Sequence, residues 1–437
     1  MKIDKKDLLI ALGKAGKYAR PGNIKKATLV LIDSENQRLV ATDYESYWFR
    51  DITIRDYKRE IRMETDAPMV KPEPEFQLAL DTMDYIELRD FASNFVNSQD
   101  MTEKDEIIRA LIKERMLREQ MENSPVITTK TVPESFAFDP RKLRKVIATV
   151  PEKLIEMKIS EVHSGELVGA KVAMLEIAGV FQEIRAIPPD DFADIEEFDV
   201  KKAGVVDAEG MLQVAKITSL NPKDKPQDHF NSVFLDAKDS FITGTDGERL
   251  HLYRLNGFKA NSNAIIPSVS LKNFLADNRK EHVTVSVGAK AVEFKTGREN
   301  LVVKTVEADY PRAQNPIAKA MTGTKINVSK APMGQVIDQA SNLTDKDYSG
   351  MFLEFRGKTI MSRSYNPIFG RYQSEKVQMK SGKVKDPFEI FLKILFLKDA
   401  LDAINSDVFA MRVSDDGPML IKQGNFEAVL SPMRTDA

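Results

Sequence analysis

The amino-acid sequence predicts an α+β protein built from three tandem copies of one structural unit. Its 437 residues suggest about three domains at roughly 150 residues each. Helices with apolar residues three and four apart are expected to begin at residues 140, 267 and 394, each 127 residues after the one before. A strand followed by an Asx turn also recurs, at 39–45, at 241–250 and in degenerate form at 359–367. A repeated helix together with a repeated turn indicates a copied unit.

Each unit is expected to run helix, strands, turn, strands, helix, strands. Apolar and polar residues alternate at 283–287 and 291–294, as in half-buried antiparallel strands. Units close on acidic or aromatic-proline segments such as 189–192 and 309–311. The leading helices are predicted at about residues 5–19, 207–220 and 330–343, and the second helices at 140–148, 267–276 and 394–404.

Residues 56–133 interrupt the first unit and are interpreted as an insertion. Residues 71–75 (KPEPE) are typical of an exposed linker. A helix capped by Thr102 is predicted to follow, with an apolar stripe on one face. The stripe is expected to pack within the insertion, against 85–88, Phe91 and Phe95, in preference to docking a partner. Its members are Ile107, Ile108, Leu111, Ile112, Met116 and Leu117.

Composition excludes several classes of site. The chain has no cysteine, so a disulfide framework, a thiolate zinc site, a cysteine nucleophile and an iron–sulfur cluster are excluded, and a reducing compartment fits best. The charged N-terminus and the absence of a long apolar run favour a cytoplasmic protein with no membrane partner. With 64 basic and 66 acidic residues, the net charge is −2, so a polyanion would have to meet local basic faces.

The sequence carries no enzyme signature. The histidines at 163, 229, 251 and 282 lack paired metal-ligand spacing, and no Walker loop or GxGxxG motif is present. The acidic pairs at 190–191 and 196–197 could resemble catalytic acids, but capping and solubilising strand ends is their simpler role. We therefore expect no catalytic residue, no metal and no cofactor. A hydrolase that uses these acids is the least favoured hypothesis.

Motifs along the chain resemble, in order and spacing, the bacterial DNA polymerase III β subunit, the replicative sliding clamp. They are TDGERL at 245–250, DYP at 309–311 with Pro316, VLSPMR at 429–434, RP at 20–21, FDPRK at 138–142 and IPPDDF at 187–192. The resemblance covers nearly the whole chain apart from the insertion. It implies clamp domains at 1–203 (including the insertion), 204–322 and 323–437, in a head-to-tail homodimeric ring with helices inside and antiparallel sheets outside.

The implied function is non-enzymatic. Such a ring encircles duplex DNA without reading sequence and tethers DNA polymerase and other replication and repair proteins, while a separate loader opens it. Diffuse positive charge on the inner helices would face the phosphates. The candidates are Lys5, Lys6, Lys14, Lys17, Arg20, Arg141, Lys142, Arg144, Lys145, Lys272, Arg279, Lys280 and Lys398.

The resemblance also implies a groove between the second and third domains, where the polymerase and the clamp loader insert a short linear peptide with apolar anchors. Glu248 and Ser431 depart from the family, which usually has His and an apolar residue there. Ile184 and Leu343 correspond to dimer-interface positions. The groove residues carried over are Phe230, Thr245, Gly247, Arg249, Leu250, Pro316, Val429, Leu430, Ser431, Pro432, Met433 and Arg434.

A second function stays open on the sequence alone. A clamp-fold scaffold could bind proteins without being loaded on DNA and could use the insertion as its specific contact. This alternative stays open because positive charge is sparse on the helices of the third unit, where Lys330 and Lys398 are nearly the only bases.

Overall fold

The computed structural model describes most of the chain. The chain forms two compact units: a larger unit, Met1–Arg55 with Ser135–Ala437, and a smaller unit, Asp56–Glu134. The insertion expected at 56–133 falls on the second of these units. The residues described are 2–19, 29–55, 58–64, 80, 83, 87–88, 92, 104, 106–113, 127–133, 135–149, 153–161, 171–177, 180–185, 192–218, 228–345 and 349–433.

The strands of the first repeat, including β6 and β7 of the insertion, are β1 (Lys2–Asp4), β2 (Val30–Asp33), β3 (Arg38–Thr42), β4 (Ser46–Asp51), β5 (Ile54–Arg55), β6 (Lys58–Glu64), β7 (Ile127–Pro133), β8 (Phe136–Phe138), β9 (Leu154–Glu161), β10 (Lys171–Ile177) and β11 (Val180–Arg185). The second repeat contributes β12 (Val200–Asp207), β13 (Ser232–Asp236), β14 (Phe241–Thr245), β15 (Arg249–Arg254), β16 (Ala264–Pro267), β17 (His282–Gly288), β18 (Ala291–Lys295) and β19 (Glu299–Lys304). The third repeat contributes β20 (Thr324–Ser329), β21 (Gly350–Arg356), β22 (Thr359–Asn366), β23 (Gly370–Gln373), β24 (Val377–Ser381), β25 (Phe388–Lys393), β26 (Val408–Val413), β27 (Met419–Gln423) and β28 (Phe426–Leu430).

In the larger unit, helices occur in pairs, one pair in each repeat. The described helices of this unit are α1 (Lys5–Ala15), α2 (Pro140–Thr149), α3 (Ala208–Ala215), α4 (Ser268–Asp277), α5 (Gln314–Met321), α6 (Lys330–Ser341) and α7 (Ile394–Asp402). α1 packs on α2, α3 on α4 and α6 on α7, whereas α5 lies in the chain between the second repeat and the third. The second helices confirm the predicted 127-residue spacing to within one residue.

The leading helices begin where the sequence predicts and end two to five residues earlier. Asp4 and Asp207 cap α1 and α3 by accepting the backbone N–H three residues on, at 2.9 and 2.8 Å. Gly16 and Lys216 lie at the C-caps, and the residues after them form turns. The apolar pattern nevertheless continues, because Tyr18 is fully buried and stacks on Trp48. Burial beyond the helix end therefore explains why the predicted helices were too long.

The strands of the larger unit form three antiparallel sheets among the described residues, with strand orders β11-β10-β9-β1-β5, β12-β17-β18-β19-β4-β3-β2-β8 and β16-β13-β14-β15-β28-β27-β26-β20-β24-β22-β21-β25, where β23 pairs with β22. Two sheets cross from one repeat to the next. We call the pairing of β4 with β19 the first seam and that of β15 with β28 the second seam. The same strand of each repeat is thus joined to the last strand of the following repeat.

The repeated Asx turn has the same hydrogen bonds in its first two copies. Thr42 and Thr245 each donate their hydroxyl to the carbonyl four residues on, at 2.8 and 2.7 Å. Asp43 and Asp246 each accept the backbone N–H three residues on, at 2.8 and 3.0 Å. In the third copy Asn366 accepts two backbone N–H groups, at 2.8 and 3.1 Å. These contacts confirm the repeated turn in the first two copies and show a related Asx turn, without the threonine hydroxyl bond, in the third.

In the smaller unit, β6 pairs with β7, and residues 106–113 are helical where described. Ile107, Ile108 and Leu111 pack with Leu88 and two other buried residues of the same unit. This confirms that part of the stripe packs within the insertion. Thr102, Tyr85, Phe91, Phe95, Met116 and Leu117 lie outside the described residues. No described helix has the length and apolar character that a membrane span requires.

Candidate functional site

The second seam carries an apolar cluster beside the linker helix α5. Leu250 of β15 and Val429 of β28 lie opposite each other in register. They are only 6% and 2% exposed, so neighbouring protein already covers most of their surface. Pro316 and Ile317 of α5 are partly exposed and form the accessible part of this region. The cluster consists of Phe241, Leu250, Leu252, Ala313, Ala320, Leu420 and Val429, with Phe234 and Ile317 packed against it.

The Asx turn places two charged residues next to this cluster, and both have partners. Arg249 pairs with Asp246 at 3.0 Å and with Asp399 at 2.5 Å, and its guanidinium lies 4.5 Å from the centre of the Phe396 ring. Its side chain is 8% exposed, so it holds β15 against α7. Glu248 is exposed at the turn and pairs with Lys393 at 2.6 Å. Thr245 and Gly247 form the turn itself, with Gly247 at φ 89°.

The end of the described chain runs past the same turn. Leu430 is fully buried as the last residue of β28. The Ser431 N–H donates to the Glu248 carbonyl at 3.1 Å, and the Met433 N–H donates to the Phe391 carbonyl at 2.8 Å. Ser431 is exposed, Pro432 and Met433 are partly exposed, and Arg434 lies outside the described residues. Residues 431–433 therefore form one side of the accessible region.

Aromatic residues anchor the linker between the second and third repeats. Tyr310 of the DYP motif stacks on Phe234 with ring centroids 5.1 Å apart. Its hydroxyl donates to the Thr243 carbonyl at 3.3 Å, and burial raises its pKa well above the usual range. Phe230, in the short 3₁₀ helix Asp228–Asn231, is partly exposed. The DYP motif thus attaches the linker to the sheet.

The predicted DNA-facing cations differ in their engagement. Lys14 pairs with Glu299 at 2.5 Å, Lys17 with Asp277, Arg279 with Glu209, and Lys398 with Asp338 at 2.8 Å. Lys5 and Lys272 donate to the carbonyls of Ala148 and Thr218, and Arg20 lies outside the described residues. Exposed side chains that form no ion pair with a described residue are Lys6, Arg141, Lys142, Arg144, Lys145 and Lys280.

Two strand edges are open where the repeat would place a seam. β11 pairs with β10 and β23 pairs with β22, and neither has a second strand partner among the residues described. By position in the repeat, β23 corresponds to β4 and β15, whereas β11 corresponds to β19 and β28. Ile184 lies in β11, opposite Ala173. Leu343 follows α6 and is partly buried, and its neighbour Asp345 accepts from Asn366 of β22 at 2.9 Å.

An apolar patch at the β22–β23 turn was not predicted from the sequence. Tyr365, Ile368 and Phe369 are 56%, 75% and 59% exposed. Two large apolar residues inside a turn that starts with Asn-Pro were a usable signal, because exposed apolar clusters mark interaction surfaces. Lys393 and Asp399 were also missed, since only the fold brings them to the Asx turn. In the described part of the chain, no cluster of His, Cys, Asp or Glu could hold a metal ion.

Solved structures resemble this fold along the whole chain. A DNA polymerase sliding clamp from Bacillus subtilis matches with a TM-score of 0.70 and 15% identity, covering 99% of this chain and 98% of that chain. A DNA polymerase III subunit β from Pseudomonas aeruginosa matches with a TM-score of 0.69 and 15% identity, covering 99% of both. A sliding clamp from Bartonella birtlesii, bound to griselimycin, matches with a TM-score of 0.68 and 15% identity, covering 100% and 99%.

These similarities establish that the chain has the fold of bacterial DNA polymerase sliding clamps. No protein-family model matches the sequence. No curated protein matches it in sequence either.

Proposed function

We propose that this clamp-fold protein is a processivity clamp, a head-to-tail homodimer that encircles duplex DNA and tethers a DNA polymerase. The observation that carries the proposal is the pair of open edges, β11 and β23. The first two repeats are each joined to the next by one strand pairing, and β23 of one copy with β11 of a second copy would continue that pattern. Two such pairings close six repeats into a ring.

The apolar patch at the β22–β23 turn supports this closure. Ile368 and Phe369 would be covered by the second copy, together with Leu343, whose segment lies beside the turn. Ile184 on β11 belongs to the opposite edge. Burial of two large side chains would contribute roughly 3 to 6 kcal/mol to association before its entropic cost.

Charge on the first helix pair supports an interaction with DNA. α1 and α2 contain seven bases and one acid, and the bases on α2 are exposed. Lysine and arginine side chains on a helix attract phosphates without reading bases, as a sliding ring requires. The ring would act without catalysis, through the high local concentration that it gives to a tethered polymerase.

Topology separates this function from ordinary DNA binding. The purified protein, loaded by a clamp loader onto a nicked circular plasmid, should remain with the DNA during gel filtration in about 0.3 M salt. It should be released when the plasmid is cut once. The Ile368→Asp/Phe369→Asp variant should sediment as a monomer and should not be retained, whereas Asp415→Asn/Asp416→Asn should behave as wild type. Equal retention on linear and circular DNA, or a wild-type monomer at micromolar concentration, would contradict the proposal.

The accessible region beside the second seam would take a linear peptide with apolar anchors, presented by the polymerase or the loader. Pro316, Ile317, Pro432 and Met433 are its partly exposed residues. A peptide with a Gln-Leu-x-Leu-Phe core should bind with a micromolar Kd, corresponding to about 8 kcal/mol. Truncation after Leu430 should abolish binding in calorimetry and leave the dimer intact. Equal binding to the truncated protein would place the peptide site elsewhere.

A protein-binding scaffold that is never loaded on DNA is the second candidate. Positive charge does not continue around the proposed hole, because α6 and α7 contain two bases and three acids. Failure of retention on circular DNA, combined with an intact dimer and peptide binding, would favour the scaffold.

A further inference from the structure

The three helix pairs differ in charge although they share one architecture. α1 and α2 contain seven bases and one acid, α3 and α4 one base and two acids, and α6 and α7 two bases and three acids. A surface that held a duplex evenly would carry similar positive charge on each pair. The difference therefore bears on where in the ring the DNA lies.

Both bases of α6 and α7 are engaged within the protein. Lys398 forms an ion pair with Asp338, and Lys330 donates to the Ile404 carbonyl. Asp338 keeps a side chain that is 67% exposed, and Asp402 is exposed on α7. Lys330, Lys398, Asp338 and Asp402 line one cavity of about 360 Å³ between α6 and α7. We call this surface the α6–α7 face. Its lysines lie beside acids that offset their charge.

On α2 the opposite holds. Arg141, Lys142, Arg144 and Lys145 are exposed, and none forms an ion pair with a described residue. Arg144 also lies along α1, since its guanidinium carbon would be 3.4 Å from a Cβ built on Gly13. This brings the charge of both helices to one surface, which we call the α1–α2 face.

We infer that the duplex is held against the α1–α2 face of one copy at a time and repelled by Asp338 and Asp402 on the α6–α7 faces, so that it lies off-centre in the homodimeric ring. This inference rests on the proposed function. Coulomb interactions with phosphates extend over roughly 8 Å at physiological salt, so each face acts mainly on the DNA that passes beside it. The acids would keep a sliding duplex from binding all three helix pairs at once.

Charge substitutions test the two faces separately. Lys142→Gln/Lys145→Gln should weaken equilibrium binding of the protein to a short linear duplex on the order of tenfold or more at about 0.1 M salt and reduce the salt slope of that binding by about 2. Lys330→Gln/Lys398→Gln removes the same charge and should leave the slope unchanged. Asp338→Asn/Asp402→Asn should tighten this binding several-fold, whereas the control Asp415→Asn/Asp416→Asn, at exposed positions between β26 and β27, should not. Equal slopes for the two lysine variants, or no gain from Asp338→Asn/Asp402→Asn, would overturn the inference.

The cysteine-free chain permits a direct measurement of position. Ala148 on α2 and Ala331 on α6 are both exposed and can each be replaced by a single cysteine that carries a photo-crosslinker. Protein trapped on circular DNA should crosslink from position 148 at least several-fold more than from position 331. Retention with equal crosslinking contradicts the inference alone, whereas absence of retention contradicts the proposed function as well.

Discussion

The two seams have the same strand pairing but different side chains at corresponding positions. In the first seam Arg50 lies opposite Glu299, and Trp48 opposite Leu301. At the corresponding register positions of the second seam, Tyr253 lies opposite Phe426, and His251 opposite Ala428. A charged pair in one seam is thus an aromatic pair in the other. Backbone hydrogen bonds and the Asx turn set the geometry of the junction, while its side chains set how it responds to mutation and acid.

Glu299 is the centre of the first seam. It accepts from Lys14 at 2.5 Å, from Asn278 at 3.1 Å and from Arg50, which also pairs with Asp7 at 3.1 Å. Its side chain is 3% exposed. Burial acts to raise its pKa, but the bonds from Lys14 and Asn278 and the nearby charges outweigh burial and hold the pKa below its usual range. The network connects α1, β4, β19 and the end of α4.

The second seam is closely packed around Tyr253, which corresponds to Arg50 of the first seam. A Cβ built on Gly210 of α3 would lie 2.2 Å from the Tyr253 ring. His251 is buried in edge-to-face contact with Phe426, at 5.1 Å, and its Nδ1 lies 2.9 Å from the Gln213 carbonyl. Because a carbonyl only accepts, Nδ1 carries the proton. Burial, which outweighs the bond to Gln213, lowers the pKa of His251 to about 4.

The largest expected effect comes from the first seam. Glu299→Ala leaves Arg50 and Lys14 without their buried partner and should lower the free energy of unfolding by about 3–5 kcal/mol. Urea denaturation measures the loss, and Glu281→Ala, at an exposed position, is the control and should change it by less than about 0.5 kcal/mol. A loss below about 1 kcal/mol for Glu299→Ala would show that the network does not hold the seam.

In the second seam, overpacking should have the next largest effect. Gly210→Ala should cost up to about 3 kcal/mol, because its Cβ would overlap the Tyr253 ring. The double variant with Tyr253→Ala should be less destabilised than the sum of the single variants, which a double-mutant cycle would measure. Gly334→Ala, on α6 with nothing within 4 Å of the new Cβ, should instead stabilise by up to about 1 kcal/mol. Additive losses at 210 and 253 would mean that the two do not touch.

The two seams should lose stability in different pH ranges as the pH falls. The folded-state pKa of His251 lies below its unfolded value of 6.5, so the unfolded chain binds the proton and stability falls as pH drops from 6.5 towards 4. The loss between pH 7 and pH 5 should be on the order of 2 kcal/mol, and His251→Phe should remove it. Glu299 contributes stability above its unfolded pKa, near 4.5, and loses it at lower pH. A pH dependence between 7 and 5 that His251→Phe leaves unchanged would contradict this assignment.

Local pattern was sufficient for much of the fold. Capping aspartates, apolar periodicity and the Thr-Asp turn act over a few residues, so the sequence located the second helices, the leading-helix starts and the repeated turn. Motif resemblance then predicted the clamp fold, which the solved structures support. The groove and interface residues carried over with it stay predictions.

Tertiary structure alone decided which of those residues are accessible and which charges are free. Leu250, Val429 and Arg249 are predicted groove residues, but the apolar cluster beside α5 buries Leu250 and Val429, and Asp399 pairs with Arg249. Lys14 and Lys398 read as solvent-facing cations, yet their carboxylate partners lie 285 and 60 residues away in the chain. A single sequence specifies short-range turns and periodicity, whereas residues distant in sequence are brought together only by the fold. The sequence therefore determined the repeated unit, but not the distribution of charge across the helix faces.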